Sequence, residues 1–214
     1  MIHLSIPLEA GHFYHIYNRG INGETLFKEE RNYAYFLSKY AQYLSPVVDT
    51  YAYCLLKNHF HLLIQVKDAL HLKEFYFQEY PSASNYPTEG LHSPDLIVSK
   101  QFAKLFSSYT QAINKATSRT GALVESPFKR IEVKNAAYFS QLVWYIHYNP
   151  QKHGFVNDFR DYLHSSFHSH LQAKKTRLNR QEVLDWFGGE EAYRQYHATQ
   201  KKENNIRDLL IELD

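Results

Sequence analysis

Two histidines separated by one residue, His59 and His61, form the sharpest local pattern in the chain that could do chemistry. On a β-strand alternate side chains point to the same face, so both imidazoles can approach one divalent ion while Phe60 points the other way. Imidazole suits Mn, Zn, Ni or Co, and it can hold Mg when phosphate and water fill the other positions. Short motifs recur by accident, so two ordinary half-buried histidines remain an alternative interpretation.

A second pair, Tyr145 and Asn149, lies four residues apart on a predicted helix and therefore shares one helix face. A tyrosine hydroxyl can attack a phosphodiester and hold one DNA end covalently. Its phenol needs help to react, which a metal that polarises the phosphate can provide. The amide oxygen of Asn149 could be a third metal ligand. In a chain with 18 tyrosines, however, a helical tyrosine is more often a packing residue.

The elements that must position these residues follow from hydrophobic periodicity and turn signals. Strands are predicted over 12–18, 49–56, 59–66 and 128–133, with Lys57-Asn58 as a turn, and helices over 30–44, 99–117 and 136–148. Asn149-Pro150 is expected to end the last helix, because the residue before proline avoids the α region. This order predicts an α+β fold of the ferredoxin-like, RRM-like split βαβ type. We expect an antiparallel sheet of four to five strands with helices on one face.

The predicted organisation is one core unit with an appendage. Residues 1–154 would form the core, interrupted by a loop insertion over 67–98, whose second part carries three of the seven prolines. Residues 155–214 are expected to be a mostly helical extension packed on that core. We find no internal repeats.

Composition and charge restrict the class of protein. Hydrophobic residues make up 44% and charged residues 21%, which is typical of a globular chain. A single cysteine, Cys54, excludes an internal disulfide framework, and no apolar run reaches the length of a membrane helix, so a cytoplasmic protein is expected. Between Lys100 and Lys134 seven basic residues face two acidic ones, whereas the chain after Gln181 is acidic. This charge distribution would be explained either by one face that binds phosphate or by a solvated helix face.

Five segments taken together resemble a known family. They are Tyr14–Gly20, Ala52–Ile64, Gly121–Arg130, Tyr145–Gly154, and Tyr162 with Ser165-Ser166. In this order they resemble the HUH-type single-tyrosine transposases (IS200-like transposases), and most closely the REP-associated tyrosine transposases. The resemblance covers nearly the whole chain. It departs from the usual pattern at Leu56-Lys57, where family members usually carry Met-Pro.

The resemblance implies a mechanism and roles for the two pairs. His59 and His61 would bind a divalent metal, Mg or Mn, Asn149 would complete the site, and Tyr145 would be the nucleophile. The enzyme would cleave single-stranded DNA beside hairpins through a 5′-phosphotyrosine and then transfer the strand, without a nucleotide cofactor or a membrane. A monomer and a homodimer are both open. Tyr148 is a second candidate nucleophile, whereas His147 should point to the other side of the helix.

Four basic residues are candidates for contacts with phosphate or with the hairpin. In decreasing order of preference they are Arg130, Lys129, Lys134 and Arg19. Solubilising surface charge would explain each one equally well.

A function from another class remains open. The same fold could be a domesticated, non-catalytic module that binds hairpin DNA or RNA, since such sheets bind single strands without chemistry. A metal-dependent hydrolase of small phosphoesters would need more carboxylates than the middle of the chain offers.

Three other groups of residues are not expected to carry the chemistry. His12 and His15, three apart on a strand, should face opposite sides and are not expected to form a metal pair. The histidines at 164, 168 and 170 are expected at the surface. Trp186-Phe187 is interpreted as a packing motif.

Overall fold

A computed structural model describes residues 6–87, 93–135 and 137–199 of the chain. The first three quarters of the chain contain both strands and helices. The elements are β1 (Phe13–Arg19), α1 (Glu30–Tyr43), β2 (Val48–Leu55), β3 (His59–Val66), α2 (Ala69–Glu79), α3 (Pro94–Thr117), β4 (Lys129–Glu132) and α4 (Ala137–Lys152). Each predicted strand and helix is present, with ends that differ by a few residues.

The four strands form one sheet in the order β2-β3-β1-β4, and every neighbouring pair is antiparallel. This strand order is that of the split βαβ arrangement, in which β1 and β3 are the central strands. The predicted fold class, α+β with an antiparallel sheet and helices, is confirmed.

The two faces of the sheet are covered by different helices. Phe60, Leu62 and Ile64 of β3 lie in one core with residues of α1 and α3, whereas Leu63 lies in a second core with residues of α4. The expectation of helices on one face was therefore wrong. β3 is buried at seven of its eight positions, and a strand buried on both faces reads as a continuous apolar run rather than an alternating one.

The segment 67–98 contains a helix, α2, where a loop insertion was predicted. Asp68 begins it, and the side chain of Asp68 accepts a hydrogen bond from the backbone N–H of His71 at 2.9 Å. Leu72 and Tyr76 are buried beside α3. The prolines that suggested a loop lie in the later part of this segment, of which residues 88–92 are outside the described part.

Helix α4 continues through Pro150 to Lys152, although it was expected to end at Asn149-Pro150. A proline costs most in the middle of a helix, where it removes one backbone hydrogen bond and crowds the preceding turn. Pro150 stands only two residues before the end of α4. Full burial of Leu142, Val143 and Ile146 stabilises α4 against this local cost, and Asn149 remains within the helix.

The remaining described residues pack against α4 and along the edge of β2. They form a 3-10 turn (Phe159–Asp161), α5 (Phe167–Leu171), α6 (Arg180–Phe187) and α7 (Glu190–Thr199). Trp186 stacks on Tyr51 and Phe139, as a packing residue should. Residues 200–214 of the predicted extension are outside the described part. Within the described residues, no helix combines the length and the hydropathy needed to cross a membrane.

Candidate active site

His59 and His61 project from β3 toward the face that α4 covers. Their ring centroids lie 5.3 Å apart, and each residue is nearly fully buried. Phe60 between them packs against Phe36 and Phe106 in the opposite core. The alternation expected from a strand therefore brings the two imidazoles together.

The imidazole of His59 is held in one tautomer by the residue before it. Its Nδ1 lies 2.8 Å from the Oδ1 of Asn58, and an amide oxygen only accepts, so Nδ1 carries the proton. The Nε2 of His59 then bears a lone pair. This atom is buried and has no hydrogen-bond partner among the described residues.

His61 is held by His15, for which the sequence predicted no role in a metal site. The Nδ1 of His61 lies 3.0 Å from the Nε2 of His15. The Nε2 of His61 is likewise buried without a partner in the described part of the chain. His15 lies opposite Leu63 in the β1–β3 register, two positions from Tyr17 opposite His61, so its side chain shares the face of His61. Only the strand pairing reveals this, because 46 residues separate the two histidines.

Tyr145 faces this histidine cluster from α4, and Asn149 follows four residues later on the same face of the helix. The Tyr145 ring stands edge-on to His61 at 6.0 Å and to His15 at 6.3 Å between ring centroids. The Nδ2 of Asn149 donates to the backbone carbonyl of Tyr145 at 2.8 Å. A carbonyl accepts only, so this contact fixes the amide orientation. The Oδ1 of Asn149 is left buried without a partner among the described residues.

The other two candidates on α4 lie elsewhere. Tyr148 stacks on Trp144 at 4.7 Å and contacts Phe159 edge-on. His147 is buried on the outer side of the helix, where it contacts Ser166 and His197. The expected turning of His147 away from Tyr145 agrees with this geometry.

Burial keeps the three clustered histidines neutral. Desolvation lowers the pKa of His15 to about 3, and desolvation, followed by the charges of His153 and Arg19, lowers the pKa of His59 to about 3. The pKa of His61 is also lowered well below its ordinary value, mainly by burial and next by His15. A neutral imidazole is the form that ligates metals, so the cluster is in the ligating form at neutral pH.

The donor set fits a divalent metal in part. Three buried atoms without a hydrogen-bond partner among the described residues, the Nε2 atoms of His59 and His61 and the Oδ1 of Asn149, belong to the residues that the family resemblance implies as ligands. Nitrogen and amide oxygen ligands with water suit Mn or Mg. No cluster of three or more His, Cys, Asp or Glu side chains with metal-site geometry occurs in the described residues. Any metal here would therefore complete its shell with phosphate or water oxygens.

Two residues that the sequence patterns did not identify also border the site. The Nζ of Lys152 lies 5.4 Å from the centre of the Tyr145 ring, and the ring of His153 lies 4.8 Å from that of His59. Lys152 and His153 follow Tyr145 by seven and eight residues, which corresponds to about two helical turns. The helical spacing between positions 145 and 152 was the signal that could have identified Lys152.

The four predicted DNA-contact residues are distributed over different surfaces. Lys129 is exposed and lies opposite Tyr17 in the β1–β4 register, on the histidine side of the sheet. Arg19, opposite His59, lies on the same side and pairs with Glu125 at 2.7 Å. Arg130 points to the other core, where it donates to Ser99 and lies 4.4 Å over the Phe128 ring.

Lys134 is largely exposed, with its Nζ 3.1 Å from a carboxylate oxygen of Glu132. The preference for Arg130 therefore has no geometric support, because its guanidinium faces the core on the opposite side of the sheet from the histidines.

Fold and site together define a class: a split βαβ sheet whose central strand carries a His-x-His pair facing a helix with a tyrosine and an asparagine four residues apart. A comparison with protein-family models gave no match. The chain is 25% identical over 128 residues to a protein of Haemophilus influenzae named a REP-associated tyrosine transposase. That alignment covers 59% of this chain and 62% of the relative, so the chain spans less than two thirds of the relative's length.

The fold is also that of a solved REP-associated tyrosine transposase bound to a REP hairpin. The TM-score is 0.57 at 16% identity, and the match covers 80% of this chain and 86% of the other. Both comparisons agree with the predicted resemblance: the chain is similar in sequence to one REP-associated tyrosine transposase and shares the fold of another.

Proposed function

We propose that this chain cleaves and rejoins single-stranded DNA beside a hairpin, with Tyr145 as the nucleophile. One observation carries the proposal. The Tyr145 ring meets the buried, neutral His61 and His15 on one face of the sheet, and the buried Nε2 atoms of His59 and His61 have no partner in the described part of the chain. Packing alone gives no reason to leave these nitrogens unsatisfied, because burying a polar atom without a hydrogen bond is costly.

Cleavage would begin with in-line attack of the Tyr145 hydroxyl oxygen on phosphorus. A bond forms between the tyrosine oxygen and phosphorus, the bond to the 3′ oxygen breaks, the phenol loses its proton and the leaving oxygen gains one. The product is a 5′-phosphotyrosine and a free 3′-OH. Attack by another 3′-OH reverses these steps, so strand transfer requires no nucleotide cofactor.

The residues around Tyr145 would orient the phosphate. His59, His61 and Asn149 are proposed to hold Mg or Mn, which when bound would neutralise charge on the phosphate. Lys152, whose Nζ lies 5.4 Å from the Tyr145 ring centre, would add positive charge beside the reacting oxygen. Tyr145 exposes only 5% of its surface, so neighbouring side chains must move when DNA enters.

Contacts with the DNA backbone are assigned by sheet face. Lys129 and Arg19 lie on the histidine side and are proposed to contact phosphates near the cleaved bond. Lys134, just beyond β4, would contact the backbone further away, and Arg130 would act through the stability of β4. Cations of this kind position nucleic acid without reading its sequence.

The test is covalent trapping on hairpin DNA. Purified protein is incubated with single-stranded hairpin substrates, labelled at the 5′ or 3′ end, in Mn²⁺, Mg²⁺ or chelator. We expect a metal-dependent adduct that carries the fragment on the 3′ side of the cut. Tyr145→Phe should abolish it, whereas the matched variant Tyr148→Phe should retain it. An adduct that survives Tyr145→Phe would move the nucleophile elsewhere.

A non-catalytic hairpin-binding module remains the second candidate. The burial of Tyr145 favours it, because a residue that packs without reacting needs no access. Tight hairpin binding with no adduct in any metal would establish this alternative and exclude the enzyme.

A further inference from the structure

The outer side of α4 carries a hydrogen-bonded chain of buried polar residues that the proposed chemistry does not use. It runs from β2 through Ser166 and His147 to His197 of α7. These three side chains expose 0%, 0% and 2% of their surface. Buried polar groups of this kind are costly unless every member is satisfied, so the chain requires one arrangement of its parts.

The direction of every hydrogen bond in this chain follows from its two ends. The Nδ1 of His197 lies 2.8 Å from the carbonyl oxygen of Tyr193, which only accepts, so Nδ1 carries the proton and Nε2 accepts. The Nδ1 of His147, 3.0 Å from that Nε2, must therefore donate. The Nε2 of His147 must then accept from the hydroxyl of Ser166 at 2.7 Å.

The far end of the chain is the backbone of β2. The Oγ of Ser166 accepts from the N–H of Tyr53, and the N–H of Ser166 donates to the carbonyl of Tyr53, both at 2.9 Å. Tyr53 lies opposite Leu62 in the β2–β3 register, next to the position of His61. The chain thus connects the strand beside the histidine pair to the back of the helix that bears Tyr145.

The geometry points to a positioning role for this chain. We propose that Ser166, His147 and His197 fix the rotation of α4 about its axis and thereby hold Tyr145 against His61. His147 lies two residues from Tyr145, about 200° around the helix at 3.6 residues per turn. Apolar packing tolerates small rotations of a helix, whereas a rotation here would leave buried nitrogen and oxygen atoms unpaired.

This inference assigns a part in the active site to α7, a helix whose contribution the sequence left open. His197 is a positioning residue, because it lies behind α4 and acts through His147. The inference rests on the proposed function only for its effect on cleavage. The hydrogen-bond directions and the placement of Tyr145 can be measured without any DNA.

The first experiment is NMR of the imidazole nitrogens in the full chain. Both His147 and His197 should be neutral with the proton on Nδ1. A proton on the Nε2 of His147 would contradict the hydrogen-bond directions derived for Ser166, His147 and His197. The second measurement is the nuclear Overhauser effect between the rings of Tyr145 and His61, which should be present in the wild type and lost in His197→Leu.

His197→Gln is the rescuing variant, because its side-chain oxygen can accept from His147. Tyr196→Leu is the matched control, since it loosens the packing of α7 on Phe187 and trims an edge-on ring contact with His197, but removes none of the hydrogen bonds that define the chain. In the adduct assay, His197→Leu should lower the rate of adduct formation by about ten- to a hundredfold with unchanged hairpin affinity. His197→Gln should recover most of the rate.

An equal loss of rate in Tyr196→Leu, or a Tyr145–His61 contact that persists in His197→Leu, would overturn the positioning role. If the wild type forms no adduct, the proposed function fails, and the two NMR measurements still decide the positioning of Tyr145.

Discussion

The phenol ring of Tyr145 stands edge-on to the imidazole of His61, with ring centroids 6.0 Å apart and ring planes inclined by 78°. Tyr145 belongs to α4 and His61 to β3, so this contact crosses the boundary between helix and sheet. His15 approaches the same ring from β1. The candidate site therefore depends on how α4 lies on the two central strands.

Replacement of His15 should weaken metal binding without removing a proposed ligand. The Nε2 of His15 is the hydrogen-bond partner of His61 Nδ1, and such partners fix the ring orientation and the lone pair of a ligand. We expect His15→Phe to weaken Mn²⁺ binding about 10- to 100-fold in calorimetry. His12→Phe is the control, because His12 is an exposed histidine one residue before β1. Equal Mn²⁺ affinities in wild type and His15→Phe would contradict this role.

Lys129 and Arg130 are adjacent but should have opposite phenotypes. Lys129 is exposed on the histidine side, so Lys129→Ala should weaken hairpin binding with little change in stability. The slope of log affinity against log salt concentration should fall by about one, as expected for the loss of one phosphate contact. Arg130 packs on Phe128 and donates to Ser99, so Arg130→Ala should mainly lower the unfolding free energy. Binding titrations at several salt concentrations and urea unfolding measure the two effects. Identical behaviour of both variants would show that sheet face does not separate their roles.

Gly20 should not tolerate any side chain. A Cβ built at this position would lie 1.9 Å from the carbonyl oxygen of Glu24, a backbone atom that cannot move aside without the turn changing. Gly20→Ala should therefore lower the unfolding free energy by about 2–3 kcal/mol. Gly121→Ala is the comparison, because Gly121 has open space and only a positive φ of 82°, which costs roughly 1 kcal/mol. A smaller loss in Gly20→Ala than in Gly121→Ala would contradict this explanation.

Acid should destabilise the fold through its buried histidines. Burial lowers the pKa of His197 to about 4 and that of His170 to about 3, so both are neutral in the folded chain. Unfolded histidine, with a pKa near 6.5, takes up a proton below that pH. Stability should thus be full above pH 6.5 and fall as the pH drops toward 4, by up to about 1.4 kcal/mol per pH unit for each histidine.

Urea unfolding in chelator at pH 7, 6 and 5 measures this slope. His197→Gln should make this slope shallower by up to one histidine's share, and an unchanged slope would contradict this origin. His170 was expected at the surface, and this expectation was wrong: the residue exposes 1% of its surface. The polar residues around His170 suggested exposure, but α6 and α7 cover this position in the folded chain.

Much of the fold and half of the candidate site followed from local sequence patterns. The period of the apolar residues located four strands and the helices α1, α3 and α4. The spacing of His59 and His61 put both on one strand face, and the spacing of Tyr145 and Asn149 put both on one helix face. Periods of two and 3.6 residues are local properties of the backbone, so they can be read without the rest of the molecule.

Only the tertiary structure decided which surfaces meet. It placed α4 opposite α1 and α3, brought His15 to His61, turned Arg130 into a core, and buried His147, His170 and His197 behind the helix of Tyr145. Each of these depends on strand register or on helix packing between residues far apart in sequence. No single segment contains that information, because a half-buried strand or helix is specified only by the element that covers it.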